Sequence, residues 1–210
     1  MDDFDPAELL RRIRDGDATA WAALTERYSN LLWSVARSVK MNDADAADAV
    51  QTTWLRLLEN IDDIRQPDRL GPWLATIVRR ECYTIHRRAA RLRLGEPAEP
   101  DGFDGIVGAA DPLEEGLLRD ERDAALWRAL GRLRPACQRL LRVLMADPPP
   151  TYAEIAAALD VPIGSIGPTR QRCFQCLRDL LDEDELFDES QPTGQQQDDG
   201  GRRPTEARKG

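Results

Sequence analysis

Apolar residues recur at helical spacing along most of this chain, and the alternating β-branched runs typical of strands are absent. The pattern predicts four helices before residue 93 and four more over residues 119–181. The longest apolar stripe runs from Trp21 to Val39 in steps of three, four and seven residues, which indicates a helix packed into a core. We therefore predict an all-α fold made of two small helical domains.

Capping residues predict where the first four helices begin. Asp5 before Pro6 starts the first helix, and Asp17 starts the second. Asn42 or Asp43 caps the third, which we expect over about 44–60. The fourth helix is predicted from about residue 72 to residue 92.

The stretch TYAEIAAALDVPIGSIGPTRQRCFQCLRDLL predicts two short helices joined by a tight turn. Thr151 and Glu154 have the spacing of a capping box, and Asp160 stands where a left-handed residue would make the turn. We expect Ser165 to cap the second helix, with Pro168 in its first turn. The pattern fits a helix-turn-helix that enters a DNA major groove, or a helical hairpin that packs only for stability.

The formal net charge of −9 is unevenly distributed along the chain. Residues 6–93 hold fifteen basic and twelve acidic side chains, and residues 119–181 hold ten basic and seven acidic ones. Residues 94–118 hold seven acidic side chains and no Lys or Arg. Two mildly basic modules are therefore separated by an acidic segment, and the negative average conceals them.

The domain boundaries follow from this composition. We predict a first domain over 5–92, a flexible acidic linker over 93–118 that is rich in Gly and Pro, and a second domain over 119–182 that contains the helix-turn-helix. The polar tail over 183–210 is predicted to be disordered. Fully extended, about 25 linker residues reach roughly 80 Å, so the two modules could occupy separate sites on one DNA.

Candidate chemistry for an enzyme or a metal site is sparse. Cys173 and Cys176 form the only C-x-x-C pair and His86 is the only histidine, so we interpret these cysteines as small core residues. We find no phosphate-binding glycine loop and no nucleophile beside a base, and we expect no enzymatic activity, cofactor or metal. No apolar run approaches the roughly 20 residues that span a bilayer, so we expect a cytoplasmic protein without membrane insertion.

Polar side chains follow one side of the third predicted helix. Asp45, Asp48 and Gln51 lie three residues apart, beside an inner side formed by Val50, Trp54, Leu57 and Leu58. By spacing alone, this row fits a solvated helix face.

Basic side chains gather on the next loop and on the fourth helix. The loop carries Arg65, Gln66 and Arg69, which fits a binding loop or an ordinary surface loop. One side of the fourth helix presents four cationic or imidazole side chains beside Tyr83, namely Arg79, Arg80, His86 and Arg87. Like charges on one face repel unless a polyanion meets them, so nucleic-acid binding is favoured over a solvated face.

Four segments, in this order, resemble the bacterial extracytoplasmic-function sigma factors, which are small two-domain initiation subunits of RNA polymerase. They are DADAADAVQTTWLRLLENI, GPWLATIVRRECYTIHRR, LGRLRPACQRLL and the 151–181 stretch. The resemblance covers about residues 5–92 and 119–181. It implies that the first domain binds the polymerase clamp and opens the −10 promoter element, while the second reads the −35 element.

The resemblance also assigns roles to individual residues. Polymerase binding is implied for Asp45, Asp48 and Gln51, which match the row that faces the beta-prime clamp. Binding of the −10 element is implied for Arg65, Gln66, Arg69, Arg79, Arg80, His86 and Arg87. Binding of the −35 element is implied for Ser165, Thr169, Arg170, Gln171 and Arg172. The expected partners are the polymerase core, through its beta-prime clamp and beta flap, promoter DNA, and an anti-sigma factor.

One rival interpretation stays open at this point. The chain could be a stand-alone helix-turn-helix regulator whose residues 5–92 form a ligand-binding or dimerisation domain. Such a regulator would bind its operator tightly without polymerase, usually as a dimer on symmetric half-sites.

Overall fold

The structure is a computed structural model that describes residues 4–39, 41–94 and 121–188. These residues form helices and turns and no strand, so the predicted all-α fold class is confirmed. The helices are α1 (Pro6–Arg14), α2 (Ala18–Ser38), α3 (Asp43–Glu59), α4 (Leu70–Leu94), α5 (Glu121–Arg132), α6 (Pro135–Leu144), α7 (Tyr152–Leu159) and α8 (Ile163–Asp188). Two short 3₁₀ turns, Ile61–Asp63 and Pro67–Arg69, connect α3 to α4.

The predicted capping residues begin the first three helices. Asp5 accepts a hydrogen bond from the backbone N–H of the second residue of α1 at 2.9 Å. Asp17 caps α2 by accepting the N–H of Thr19 at 2.8 Å, and Arg12 donates to the same carboxylate at 2.6 Å. The hydrogen bonds from Thr19 and Arg12 hold the pKa of Asp17 far below its usual range. Asn42 caps α3 in the same way, so these start sites are encoded locally.

Helix α2 is the centre of the first helix group. Its predicted apolar stripe is buried, with Leu24, Leu31, Leu32 and Val35 almost fully enclosed. Helices α1, α3 and α4 pack around it, and α4 also packs along α3. The apolar side of α4 supplies Leu74, Val78 and Cys82 to this core, as the periodicity predicted.

The predicted turn chemistry of the helix-turn-helix is present in α7 and α8. Thr151 and Glu154 form a reciprocal capping box: the Thr151 N–H donates to Glu154 Oε2 at 2.6 Å, and the Glu154 N–H donates to Thr151 Oγ1 at 3.2 Å. Asp160 ends α7 with φ 58° and ψ 45°, the left-handed geometry that the turn requires.

The second helix of the motif begins earlier than predicted. Helix α8 starts at Ile163, so Ser165 does not cap it; the Ser165 hydroxyl instead donates to the carbonyl of Pro162 at 2.7 Å. Pro168 therefore lies inside the helix rather than in its first turn. There it leaves the carbonyl four residues earlier without its usual N–H donor.

Helix α8 also ends later than predicted. The tail was expected to be disordered from residue 183, but α8 continues to Asp188. An ion pair of 2.9 Å between Arg132 and Glu183 ties this extension to α5. The rest of the predicted tail lies outside the described residues, as does the predicted linker after Leu94.

A disulfide joins α6 to α8. Cys137 and Cys173 are bonded, with their Cα atoms 5.4 Å apart, while Cys82 and Cys176 are free. Cys173 is fully buried, as expected for a small core residue, and its bond to Cys137 was not predicted. The pairing joins positions 36 residues apart, and sequence spacing alone does not reveal such a pairing.

The two helix groups pack against each other. Helix α7 lies along α4, and α6 lies against α2. Asn30 on α2 donates to the carbonyl of Asp147 after α6 at 2.6 Å. At Gly71 in α4 the approach of α7 is so close that a Cβ atom would overlap the carboxylate of Glu154. The two groups were predicted to be separate modules, and this packing was not predicted.

None of the helices over the described residues is long and apolar enough to cross a membrane.

The capping box yields a stability prediction. Replacing Thr151 with Ala removes the side-chain acceptor for the Glu154 N–H, so we expect a loss of about 1 kcal/mol of unfolding free energy. Thr151→Ser keeps the hydroxyl and serves as the matched control. Thermal unfolding followed by circular dichroism measures both, and an Ala variant as stable as the Ser variant would contradict the assigned role of this cap.

Candidate nucleic-acid and protein interfaces

The predicted polymerase-binding row on α3 is partly presented to solvent. Asp48 and Gln51 are exposed, whereas Asp45 is half-buried at the start of the helix. The Asp45 carboxylate accepts a hydrogen bond from Asn42 Nδ2 at 2.9 Å, and its N–H donates to the Asn42 side chain at 2.8 Å. Asp45 therefore holds the helix start, and the open part of the row is Asp48 with Gln51.

Two leucines extend this row as an apolar strip. The side chains of Leu55 and Leu58 are 52% and 46% exposed, and they follow Asp48 and Gln51 in steps of three and four residues. We call Asp48, Gln51, Leu55 and Leu58 the α3 strip. Leu58 was predicted on the inner side of α3, and this prediction was wrong: Leu57 is fully buried, and Leu58 points about 100° away from it around the helix.

A pocket of about 510 Å³ lies between the 3₁₀ turns and the start of α4. The predicted loop residues Arg65, Gln66 and Arg69 all line it. The other lining residues are Asn60, Asp63, Ile64, Leu70, Pro72, Trp73 and Thr76. We call this cavity the loop pocket.

The loop pocket combines an aromatic wall with hydrogen-bonding side chains. Trp73 is half-buried, and Asn60 and Arg69 line the same cavity. Arg14 on α1 fixes the loop by donating to the carbonyl of Ile61 at 2.5 Å. Such a site can stack a flat heteroaromatic group and bind its polar edge. Trp73 was not predicted as a site residue, because a single aromatic residue at the start of a helix forms no recurring pattern in the sequence.

The basic side of α4 is open along most of its length. Arg80, His86 and Arg87 are exposed. Arg79 differs from them: its side chain is 13% exposed, and its Nη1 lies 2.6 Å from Asp160 Oδ2 in the turn between α7 and α8. Three of the four predicted positions are therefore accessible, and the fourth is paired with the second helix group.

The predicted −35 residues lie at two edges of α8. Arg170 and Gln171 are exposed and line a cavity of about 530 Å³ together with Phe174. Ser165 and Thr169 are half-buried and line a different cavity of about 300 Å³ between α6 and α8.

Arg172 is exposed and lies near the second of these edges. It donates weakly, at 3.4 Å, to the carbonyl of Pro168 and to the Thr169 hydroxyl. The structure therefore brings Arg170 and Gln171 together and sets Ser165 and Thr169 apart from them.

Over the described residues, no group of three or more His, Cys, Asp or Glu side chains could hold a metal ion.

Comparisons with known proteins place these surfaces in a family context. Residues 24–92 match the family described as Sigma-70 region 2. Over 170 residues the chain is 31% identical to the ECF RNA polymerase sigma factor SigE of Mycolicibacterium smegmatis, which covers 79% of this chain and 64% of that relative. The chain thus spans slightly less than two thirds of that relative's length.

Two solved structures have a similar fold. CnrH, solved in complex with the cytosolic domain of CnrY, is 27% identical with a TM-score of 0.52 over 86% of this chain and 98% of its own. The sigma factor RpoE of Bartonella quintana, solved with the anti-sigma factor NepR, is 24% identical with a TM-score of 0.50 over 78% of this chain and 98% of its own. Taken with these folds, the Sigma-70 region 2 match over residues 24–92 and the similarity to SigE lead to one conclusion: the chain is similar to the ECF RNA polymerase sigma factors.

Proposed function

We propose that this protein directs RNA polymerase to promoters and helps to open them during transcription initiation. The observation that carries the proposal is the loop pocket, which has the size and chemistry for one unstacked base. The exposed cationic residues Arg80 and Arg87 lie on the helix that begins at this pocket. A single DNA strand could follow that helix by phosphate contacts while one base enters the pocket.

Docking on the polymerase is proposed for the α3 strip. Asp48 and Gln51 offer exposed polar groups to the beta-prime clamp, and Asp45 supports them by fixing the start of α3. Leu55 and Leu58 add apolar area at the end of the same strip. Protein interfaces commonly combine an apolar centre with polar residues around it.

Promoter opening is proposed for the loop pocket and α4. Extracting a base from the duplex costs a few kcal/mol, and contacts made only with the unstacked base offset that cost. Arg65, Gln66 and Arg69 would bind the base edge, while Arg80, His86 and Arg87 would neutralise phosphates. Arg79 would join them only when its bond to Asp160 is broken.

Recognition of the −35 element is proposed for α8. Arg170, Gln171 and Arg172 are exposed and carry the donors that read base edges in a major groove. Ser165 and Thr169 lie on the other edge of the helix, where hydroxyls suit phosphate contacts. The beta flap of the polymerase would hold this helix group in place.

An anti-sigma factor is proposed as a regulatory partner. CnrH was solved with the cytosolic domain of CnrY, and RpoE was solved with the anti-sigma factor NepR. The α3 strip, with its two exposed leucines, is one surface on which such a protein could compete with polymerase.

Reconstituted transcription tests the proposal as a whole. Core RNA polymerase with the full chain should start transcripts at defined positions on genomic templates, and core enzyme alone should not. A parallel gel shift compares promoter DNA with and without core enzyme. Tight binding to symmetric duplex sites without core, and no defined start sites with it, would favour the stand-alone regulator instead.

Charge reversal in the α3 strip should weaken polymerase binding. We expect Asp48→Arg to raise the dissociation constant for core enzyme roughly tenfold, equivalent to about 1.4 kcal/mol, because a cation would replace an exposed interface carboxylate. Glu26→Arg, an exposed carboxylate on α2, is the matched control. Fluorescence anisotropy measures binding, and circular dichroism checks the fold. Equal losses in both variants would exclude a specific role for Asp48.

Removing one pocket donor should impair promoter opening. We expect Arg69→Ala to slow open-complex formation roughly tenfold, because a well-placed contact to a base edge is worth about 1–3 kcal/mol. On a template whose −10 element is already open because of mismatched bases, most of this defect should disappear. The protein then no longer has to separate the two DNA strands. Fluorescence of a 2-aminopurine in the −10 element measures opening. An equal defect on both templates would show that the pocket does not act in promoter opening.

A further inference from the structure

Helix α1 packs on the connection that forms the loop pocket. It contacts both 3₁₀ turns between α3 and α4, although it precedes residues 24–92, the part that matches Sigma-70 region 2. Its buried residues Leu9 and Leu10 pack it against the first helix group. A helix outside the matched region therefore supports the segment that carries the proposed base-binding site.

The corner between α1 and α2 is held by several contacts. Gly16 makes the turn with φ 84°, a left-handed backbone that glycine adopts without strain. The Nε and Nη2 atoms of Arg12 donate to Asp17 Oδ2 at 2.8 and 2.6 Å, and Nη2 also donates to the Thr19 hydroxyl at 3.0 Å. Asp17 caps α2 as well, so one carboxylate ties the end of α1 to the start of α2. The angle of α1 is thus set by α2 and does not depend on the loop.

Arg14, the last residue of α1, reaches the first 3₁₀ turn. Its Nε and Nη2 atoms both donate to the carbonyl of Ile61, at 3.2 and 2.5 Å. Its Nε also lies 3.5 Å from Asp62 Oδ1, but the Asp62 side chain is 88% exposed, so this ion pair contributes little. The charge-assisted bonds to the carbonyl are the stronger contact, and they hold the backbone of the turn rather than one side chain.

The same turn is tied to the end of α3. Asn60 Nδ2 donates to the carbonyl of Arg56 at 2.8 Å, and the N–H of Asp63 donates to the carbonyl of Asn60 at 3.0 Å. The turn is therefore held at its start by α3 and at its centre by Arg14. Asn60, Asp63 and Ile64 line the loop pocket, so holding the turn also holds one wall of the pocket.

The wall that Arg14 holds differs chemically from the wall beside it. The carboxylate of Asp63 only accepts hydrogen bonds, whereas Arg65 and Arg69 only donate them through their side chains. Hydrogen bonds to a base edge depend on distance and angle, so a shift of about 1 Å in one wall weakens contacts made at both. Arg14 is outside the set of residues that line the pocket, so it acts on a bound base only through the turn.

We propose that Arg14 is a positioning residue for the capture of an unstacked base, and this inference rests on the proposed function. Helix α1 acts as a brace: Arg14 holds the turn Ile61–Asp63 in the conformation that shapes one wall of the loop pocket before DNA arrives. The base then enters a preformed pocket, and less binding energy is lost in ordering the loop. Without Arg14, contacts to the base weaken, while phosphate contacts along α4 do not.

Three variants separate the brace from a general loss of stability. Arg14→Met removes the hydrogen-bond donors and keeps a long apolar stem. Arg14→Lys keeps the charge and can still donate to the carbonyl of Ile61, so it should restore part of the function. Arg11→Met is the matched control, because Arg11 lies on the same helix but pairs with Glu8 and Asp15, at 2.7 and 3.1 Å, and not with the loop.

Amide hydrogen exchange on the full chain tests the brace without DNA. In Arg14→Met, the N–H groups of Asp63 and Arg69, which close the two turns, should exchange roughly three- to tenfold faster, because the turns open more often. Arg11→Met should leave both rates unchanged. Equal rates in Arg14→Met and wild type would overturn the proposal.

Binding of single-stranded −10 oligonucleotides to core polymerase with the full chain tests the positioning role. The strands come from a promoter found by transcription, and each −10 base in turn is replaced by an abasic nucleotide. With wild type, affinity should fall roughly tenfold at one position, because stacking and edge contacts of that base are lost. With Arg14→Met this fall should shrink to roughly threefold or less, and Arg14→Lys should retain more of it. A protein that is merely less stable would lose affinity for intact and abasic strands alike.

The outcomes distinguish this inference from the proposed function. A full abasic effect in Arg14→Met would overturn the positioning role, even if the turns exchange faster, and so would an equal reduction in Arg11→Met. A wild-type complex that shows no abasic effect at any −10 position, and starts no defined transcripts, would overturn the proposed function and this inference with it.

Discussion

Helix α4 has to satisfy two environments at once. Leu74, Val78 and Cys82 on one side are fully buried against α2 and α3, and each large apolar side chain buried this way contributes about 1.5–3 kcal/mol. Replacing these buried residues would destabilise the first helix group. The opposite side carries Arg79, Arg80 and Arg87, whose mutual repulsion calls for anionic partners. In the isolated chain, the carboxylate of Asp160 is one such partner.

This arrangement would allow an acidic protein to bind DNA in the proposed function. The overall charge of −9 governs long-range behaviour, but in the proposed function association with DNA would depend on the local field of α4, the loop pocket and α8. The proposed polymerase contact lies on a separate helix, in the α3 strip. In the proposed function, binding to polymerase would therefore leave the basic side of α4 available for DNA.

Much of the fold could be predicted because it is encoded locally. Asp17 and the Thr151–Glu154 capping box fix helix starts through bonds within four residues, and Asp160 makes the turn by its own backbone geometry. Apolar periodicity identified the buried side of α2 and α4 for the same reason. In the candidate site, the predicted loop residues Arg65, Gln66 and Arg69 line one pocket.

The features that escaped prediction depend on contacts between distant parts of the chain. The exposure of Leu58 depends on which side of α3 its neighbours cover, and the Cys137–Cys173 bond depends on how α6 meets α8. The early start of α8 left Ser165 without a capping role, because the turn is shorter than its residue types indicated. The pairing of Arg79 with Asp160 joins residues 81 positions apart, and each residue alone fits an exposed surface.

The central claim is that the basic side of α4 binds promoter DNA, which requires Arg79 to leave Asp160 in the turn after α7. The distance between α4 and α7 tests it most directly, measured by spin labels at the exposed positions Thr84 and Tyr152 in the full chain. We predict a short, narrow distance distribution in the free protein and a separation larger by tens of ångströms, on the scale of two DNA turns, in the complex with core polymerase and promoter. The same short distance in both states would contradict the account.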